Sequence, residues 1–312
     1  MAIVRPEQMD FSNKRFNLVL AGPPGVGKTT VAMSAPDPIL FDLDNGVSRL
    51  KAEHRGITSS VDTYEQLLED MQSPEYKNAQ SVILDTGGSL IQLMQPWAKK
   101  QDPKAARDGR AMFGVIKREF DRLTHQIRAV DKKNCITIFH TTEQQKGDLI
   151  TQRLSCEGSA KDIVWTPADL GCYMYMVGSK RMLGFSPTEE YFAKACFGIR
   201  GVRPVLELRP GDPNTFLTML FEEARGNILK EMNAYAPQRK DYDAAMSAGR
   251  ALIDKAADAD ALSIAAATIR DMPHALSSKA ELSALISAKA KEMGLTYSKE
   301  AQGYVPVDRK SA

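Results

Sequence analysis

Short apolar runs alternate with amphipathic segments over the first 140 residues of the chain. Each apolar run is four or five residues long and leads into polar or glycine-rich positions, which is typical of buried parallel strands. The runs predict strands at 16–20, 38–41, 57–61, 81–85 and 135–139. Helical spacing of apolar residues between them is clearest over 113–130. Strands that alternate with helices in this way predict a mostly parallel, doubly wound α/β sheet.

The pattern changes after about residue 170. Strand candidates separated by short polar turns lie at 172–177, 181–185, 191–197 and 205–208. Because such short turns join antiparallel strands, we expect an antiparallel extension on one edge of the sheet. Beyond about residue 225 the chain becomes alanine-rich and helical. The predicted organisation is an N-terminal arm (1–15), an α/β core (16–225) and a helical C-terminal region (226–312).

The first predicted strand leads directly into a glycine-rich loop. Residues 22–30 have the Walker A spacing G-x-x-x-x-G-K-T, and a helix from about Lys28 to Ser34 follows. The glycines let the backbone curl so that its N–H groups point at a polyphosphate. Lys28 can then reach the β- and γ-phosphates, and the Thr29 hydroxyl can bind Mg²⁺. The loop predicts a nucleoside triphosphate site formed by Gly22, Pro23, Pro24, Gly25, Val26, Gly27, Lys28, Thr29 and Thr30.

Acidic residues follow two other predicted strands. Asp85 ends an apolar strand and is the natural acid to order the magnesium ion, although it could instead cap the next helix. The residue after it is threonine, so the commonest position of a catalytic glutamate is vacant. Asp42 and Asp44 lie on the same edge of the sheet as the glycine-rich loop. We interpret Asp44 as the group that activates the attacking water and Asp42 as structural; the alternative is a polar turn.

His140 ends the fifth predicted strand, where a polar side chain could sense the γ-phosphate. Thr141, Thr142 and Gln144 are alternatives for this role, and a histidine at a strand end can also be purely structural. The predicted catalytic set is Lys28, Asp44, Asp85 and His140, with the metal bound by Thr29 and Asp85.

Composition narrows the class of protein. The 312 residues are 43% hydrophobic and 26% charged, which is ordinary for a soluble globular protein. No apolar run reaches the length of a membrane span or a signal-peptide core, so we expect a cytoplasmic protein without a membrane partner. The four cysteines form no C-x-x-C pair and are expected to be reduced. A net charge of +2 means that affinity for nucleic acid must come from local patches.

One such patch is the basic segment, residues 99–110. It contains five basic and two acidic residues, a net charge of +3. Phosphate contacts from it would give salt-dependent binding without sequence preference, and the neighbouring Trp97 could stack on a base. A solvated loop, with Trp97 packed on the core, is the alternative. The candidate DNA-binding residues here are Trp97, Lys99, Lys100, Lys104, Arg107 and Arg110.

In the order of its motifs the chain resembles the RecA-like recombinase core, and more closely the phage-encoded RecA-like ATPases that include single-strand annealing proteins. The resemblance covers about residues 14–210. The motifs that carry it are Gly22–Thr30, Phe41–Gly46, Val82–Asp85, Ile136–Thr141 and the stretch from Lys194 to Arg200. It implies a P-loop NTPase fold and an ATP- and Mg²⁺-dependent protein that assembles on single-stranded DNA for recombination or annealing, in the cytoplasm of a bacterial host.

The resemblance also implies roles for individual residues. The family's activating acid falls on Asp44, and its γ-phosphate sensor falls on His140 or Thr141. Two departures concern these positions, because the family acid is usually glutamate and the sensor in RecA itself is glutamine. The family's two DNA-facing loops correspond to about 96–110 and 144–162. The second of these adds Lys146 and Arg153 as DNA-binding candidates.

A further implication is self-association into a filament or ring. RecA-like subunits complete the ATP site of a neighbour with cations, which fall here on Lys194 and Arg200, with Arg203 as a substitute. Ordinary edge-strand charges are the alternative. A single-stranded-DNA-binding protein is a further candidate partner.

Three other functions stay open. The chain could be an AAA-type ATPase acting on protein or duplex DNA. It could be a nucleotide-gated scaffold with negligible hydrolysis, which the vacant glutamate position after Asp85 favours. It could also be a small-molecule kinase in which the basic segment is a lid.

Overall fold

The computed structural model describes residues 9–147, 149–156 and 164–307. The chain forms two compact units, one of residues 10–228 and one that contains residues 229–307. Among the described residues, no helix is both long enough and apolar enough to span a membrane.

A nine-stranded sheet formed by the described residues organises the first unit. Its strands are β1 (Asn17–Gly22), β2 (Pro38–Asp42), β3 (Ile57–Ser60), β4 (Ser81–Asp85), β5 (Asn134–Lys146), β6 (Leu149–Leu154), β7 (Leu170–Val177), β8 (Lys180–Gly184) and β9 (Val202–Val205). Their order is β3-β2-β4-β5-β1-β7-β8-β9, with β6 paired to β5. The strands from β3 to β7 along this path are parallel. The prediction of a mostly parallel α/β sheet is confirmed.

Helices cover both faces of this sheet. They are α1 (Lys28–Ala32), α2 (Tyr64–Asp70), α3 (Pro74–Asn78), α4 (Gly87–Gln101), α5 (Gly109–His125) and the first part of α6 (Phe216–Lys255). Alternate residues of β1, β2, β4 and β5 enter different cores, because successive side chains point to opposite faces. Leu84 packs in the core that includes Met94 of α4 and Phe120 of α5. Ile83 packs in the other, with Val31 of α1 and Phe221 of α6.

The edge of the sheet after β7 differs from the prediction in detail. β7 itself is parallel to β1, so the antiparallel extension begins only at β8 and continues into β9. The strand predicted at 191–197 is wrong, because this segment makes only an isolated bridge between Gly171 and Lys194. Tyr191 and Ala193 are nevertheless buried while Phe192 is exposed. The alternation of buried and exposed residues in this segment therefore reflects packing over the sheet.

The segment predicted as a second DNA-facing loop, 144–162, begins as part of a β-hairpin. Residues 144–146 belong to β5 and pair with residues 149–151 of β6. Gly147 supplies the turn with a φ of +61°, a conformation that glycine adopts without a steric penalty. Ile150 and Thr151 are β-branched residues with high β propensity, which favours the strand over a loop. Asp148 and residues 157–162 lie outside the described residues.

The second unit is helical, as predicted. It contains the rest of α6, α7 (Ala259–Asp271), α8 (Ser278–Glu292) and a hairpin of β10 (Leu295–Ser298) and β11 (Gly303–Pro306). Met246, Leu262 and Leu282 are among the buried side chains of its core. Tyr304 ties the hairpin to α7, since its backbone N–H donates to the Ser263 hydroxyl.

Candidate functional site

The parallel strands bring the predicted site residues to one edge of the sheet. The register pairs Gly22 of β1 with His140 of β5, and Asp85 of β4 with both Ile138 of β5 and Asp42 of β2. Because β5 lies between β1 and β4, His140 falls between the glycine-rich loop and Asp85. We call residues 22–30 the phosphate loop. Six of them line a cavity of about 440 Å³ together with Asp44, Asp85 and His140, namely Pro24, Gly25, Gly27, Lys28, Thr29 and Thr30.

The phosphate loop is shaped by glycine. Gly25 and Gly27 have φ values of +77° and +102°, which only glycine adopts freely. No atom lies within 4 Å of where a side chain would begin at Gly25, so the crest of the loop faces open space. At Gly22 a side chain would collide with the Met174 carbonyl. The helix after the loop, α1, is shorter than predicted and ends at Ala32. An open curve of backbone N–H groups fits a polyphosphate.

Lys28 lies at the centre of the site and is only 4% exposed. Its Nζ donates to the carbonyls of Gly22 at 2.9 Å and Pro23 at 2.7 Å, and lies 3.2 Å from Nδ1 of His140. Burial lowers the pKa of Lys28 to about 8, against the opposing effect of Asp85 and Asp44. The ammonium therefore predominates at neutral pH.

Thr29 and Asp85 form the pair that fits a metal ion. The Thr29 hydroxyl donates to Oδ2 of Asp85 at 2.6 Å. Burial raises the pKa of the Asp85 carboxyl to about 6, although the Thr29 hydrogen bond lowers it. Among the described residues no group of three His, Cys, Asp or Glu could hold a metal. A hydroxyl and a carboxylate suit Mg²⁺, which is usually bound by one or two protein oxygens and by substrate phosphates.

The alternative role of Asp85, as a helix cap, is wrong. The N-cap of α4 is Thr86, whose Oγ1 accepts the backbone N–H of Ser89 at 3.2 Å. The Asp85 carboxylate is therefore left to Thr29 and the cavity.

The two acids after β2 differ in what they contact. The Asp42 carboxylate accepts the backbone N–H groups of Gly46 at 2.8 Å and Val47 at 2.9 Å, which makes it the anchor of the turn. Asp44 lines the phosphate cavity, and its Oδ2 lies 3.2 Å from the Arg49 guanidinium and 3.9 Å from Nε2 of His140.

His140 joins Lys28 to Asp44. Burial, and then the charge of Lys28, lower the pKa of His140, so its imidazole is neutral at pH 7. An ammonium can only donate hydrogen bonds, so Nδ1 of His140 accepts the hydrogen bond from Lys28. The single N–H of the neutral imidazole is therefore on Nε2, which faces Asp44. The alternatives Thr142 and Gln144 lie beyond this point, in the part of β5 that pairs with β6.

Two cations at the site were missed by the sequence analysis. Arg49 lies five residues after Asp44 and contacts it. Arg181 comes from β8, and its Nε donates to the Val26 carbonyl of the phosphate loop at 3.0 Å. No local motif marks either residue, because both reach the site through the folding of distant or irregular segments.

The basic segment keeps most of its charges in solvent. Lys99, Lys104, Arg107 and Arg110 are exposed. Lys100 pairs with Glu65 at 2.8 Å. Trp97 packs edge-on against Tyr64, with ring centroids 5.2 Å apart, so it belongs to the core.

The remaining candidates are not among the residues that line the phosphate cavity. Lys194 is in the segment predicted as the strand 191–197, but neither Lys194 nor Arg200 lies in a strand. Lys194 donates to the carbonyls of Trp165 and Thr166 at 3.3 and 3.2 Å, while Arg200 is exposed. Arg203 pairs with Glu223. In the hairpin, Lys146 ends β5, and Arg153 lies in β6 and is half-buried.

Comparison with known proteins agrees with this geometry. A protein-family model described as an AAA domain matches residues 14–197, more than half of the chain. The matched range contains the phosphate loop, Asp44, Asp85 and His140. A search of curated proteins found no match.

Proposed function

Because the chain belongs to the AAA domain family and is a nucleotide-binding P-loop ATPase, we propose that it couples ATP hydrolysis to assembly on single-stranded DNA, as a RecA-like, phage-type recombination or annealing protein. The observation that carries the ATPase half is the convergence of Lys28, Thr29, Asp44, Asp85 and His140 on one cavity.

The roles follow from the contacts. Backbone N–H groups of the phosphate loop bind the phosphates, and Lys28 turns from the Gly22 and Pro23 carbonyls to the phosphate oxygens. Thr29 and Asp85 would hold Mg²⁺, which would supply positive charge to neutralise the phosphates. Asp44 orients the attacking water and accepts its proton. His140 is hydrogen-bonded to Lys28 and lies beside Asp44. A movement of the Lys28 ammonium toward the phosphates would therefore be transmitted through His140 to Asp44.

The two shifted groups predict the pH dependence of ATPase activity. Asp85 must be ionised to hold the metal, so kcat/KM falls as pH drops below about 6. Lys28 must be protonated, so kcat/KM also falls as pH rises above about 8. Initial rates between about pH 5 and pH 9 give the bell-shaped curve of the free enzyme. Thermal melts over the same range control for unfolding, and a flat profile would contradict both assignments.

The DNA half of the proposal rests on the basic segment. Its residue Lys100 contacts Glu65, in the first turn of α2, which follows the carboxyl end of β3. The phosphate loop follows the carboxyl end of β1, and β1 and β3 belong to the same parallel set. The basic segment and the ATP site therefore lie at the same edge of the sheet, the one formed by the carboxyl ends of the parallel strands. This proximity favours coupling between DNA binding and ATP hydrolysis.

We expect the triple variant Lys99→Ala, Lys104→Ala, Arg107→Ala to lose stimulation by oligo(dT) while keeping its ATPase rate without DNA. Loss of three phosphate contacts should lower the slope of log affinity against log salt by about 2. Turnover and oligonucleotide binding are measured across salt concentrations. A charge-matched control, Lys255→Ala, Lys279→Ala, Lys291→Ala, removes three exposed lysines from the second unit.

The same assay separates the competing functions. Turnover that single strands neither bind to nor stimulate would favour an AAA-type ATPase acting on protein or duplex DNA. Absence of turnover with retained ATP binding would favour a scaffold, and phosphate transfer to an added acceptor would favour a kinase. Electron microscopy shows whether a filament or a ring forms. Of the two candidates for completing a neighbour's ATP site, Arg200 is exposed and is better suited to reach another subunit. Lys194 donates to carbonyls of its own chain.

A further inference from the structure

A second cavity of about 440 Å³ lies at the base of the β5–β6 hairpin. We call it the hairpin cavity. Its lining includes the aromatic residues Trp165, Tyr173, Tyr191 and Phe192. The Trp165 and Phe192 rings are 4.7 Å apart, and Tyr173 stacks on Tyr191 at 4.6 Å. Phe192 is 51% exposed, so part of this aromatic wall faces solvent.

Two rings of the aromatic wall, Tyr173 and Tyr191, lie outside the two main cores, whereas Trp165 packs against the core that α4 and α5 cover. Tyr173 and Tyr191 form a small cluster with Ala21 and Ala193. Beside these buried rings, Phe192 leaves half of its side chain in solvent. Exposed apolar surface that is concentrated in this way marks a binding site more often than a scattered apolar residue does.

Cations accompany the aromatic rings. Arg153 and Lys194 line the cavity, and among the described lining residues there is no acidic side chain. The buried Nε of Arg153 has no hydrogen-bond partner within the described part of the chain. Lys194 holds the backbone of Trp165 and Thr166 in place through their carbonyls. Aromatic faces beside a guanidinium with a free donor fit a flat base linked to a phosphate.

The hairpin cavity also adjoins the ATP site through two strands. Ala21 lines the cavity and directly precedes Gly22 of the phosphate loop, and Thr141 lines it and directly follows His140. An occupant would therefore bear on the same stretches of β1 and β5 that position the phosphate loop and His140.

We propose that the hairpin cavity binds an unstacked base of single-stranded DNA, with the adjacent phosphate on Arg153. This inference rests on the proposed function and adds to it the residues that contact a base. It also replaces Trp97, which packs on Tyr64, with Trp165 and Phe192 as the stacking residues.

Tryptophan fluorescence tests this directly. The chain has two tryptophans, so a Trp97→Phe background leaves Trp165 as the reporter. Oligo(dT) should quench Trp165. Phe192→Ala should weaken oligo(dT) binding about 10-fold, as expected from the loss of one base–aromatic stack. Phe192→Trp should restore the affinity. Because that variant adds a tryptophan, its binding is measured by filter binding and not by fluorescence. ATPase activity without DNA should not change. Leu206→Ala, which truncates an apolar side chain that is 78% exposed elsewhere in the first unit, is the matched control.

Each other outcome has a distinct meaning. If the unmodified protein binds oligo(dT) but Trp165 is not quenched and Phe192→Ala binds normally, the hairpin cavity is not the site, while DNA binding through the basic segment survives. If the unmodified protein binds no oligonucleotide, the DNA half of the proposed function fails as well. Tighter binding of oligo(U) RNA than of oligo(dT) would overturn the assignment to DNA. A thermal melt of each variant shows that the comparison is between folded proteins.

Discussion

Lys28→Ala is expected to abolish ATP turnover. The Lys28 ammonium is the buried cation closest to the phosphate loop carbonyls, and its removal leaves the charge of the β- and γ-phosphates without this partner. Loss of one preorganised donor costs about 100- to 1,000-fold in rate, and loss of a hydrogen bond to a charged group also weakens binding by about 1.5–3 kcal/mol. Phosphate release and titration with a fluorescent ATP analogue measure the two effects separately.

A matched variant is Lys77→Ala, since Lys77 is exposed in α3 and its side chain is not among the lining of the phosphate cavity. It should hydrolyse ATP as the unmodified protein does. Turnover by a correctly folded Lys28→Ala protein at the unmodified rate would reject the phosphate loop as the ATP site, and with it the whole proposed function.

Asp44→Asn is expected to spare ATP binding and remove hydrolysis. Asparagine keeps the size of the side chain and its contact with Arg49 through an oxygen, but it cannot accept a proton from water. Loss of a general base lowers kcat by about 100- to 10,000-fold. ATP affinity should stay within about threefold, because an interaction made mainly in the transition state affects kcat rather than binding. Single-turnover hydrolysis and ATP titration measure the two quantities.

Asp42→Asn is the natural comparison, two residues earlier on the same segment. Asp42 accepts two backbone N–H groups of the turn, so this variant should lose about 1–3 kcal/mol of folding stability while it still hydrolyses ATP. Normal turnover by Asp44→Asn would remove Asp44 from the mechanism. The neutral imidazole of His140, 3.9 Å from Asp44, would then be the next candidate for orienting water.

The parts of the fold that could be predicted are those in which one periodicity operates. Apolar strands followed by amphipathic helices led to the right sheet class, because burial on both faces leaves a continuous apolar run. The segment 191–197 shows the opposite case. The turns around it predicted a strand, but Tyr191 and Ala193 pack in a small cluster with Ala21 and Tyr173, and the segment makes only one isolated bridge. The polar residues 141–146 did not predict a strand, because they lack an apolar pattern. They extend β5 nevertheless, since pairing with β6 satisfies their backbone hydrogen bonds.

The site residues that could be predicted are those that carry a local sequence signal. Lys28, Thr29 and Asp85 carry local signals, namely the Walker A spacing and an acid at the end of an apolar strand. Arg49 and Arg181 carry none, and the position of Trp97 relative to Tyr64 could be read only from packing.

By itself the sequence determined the phosphate loop, because a strand, a glycine turn and a helix follow one another within about 15 residues and need no distant partner to be recognised. The tertiary structure alone decided what surrounds Lys28. The insertion of β5 between β1 and β4 brings His140 to within 3.2 Å of an amine 112 residues away in the chain. That arrangement depends on the order of strands in the sheet, which is set by packing among residues far apart in sequence and leaves no mark on any single segment.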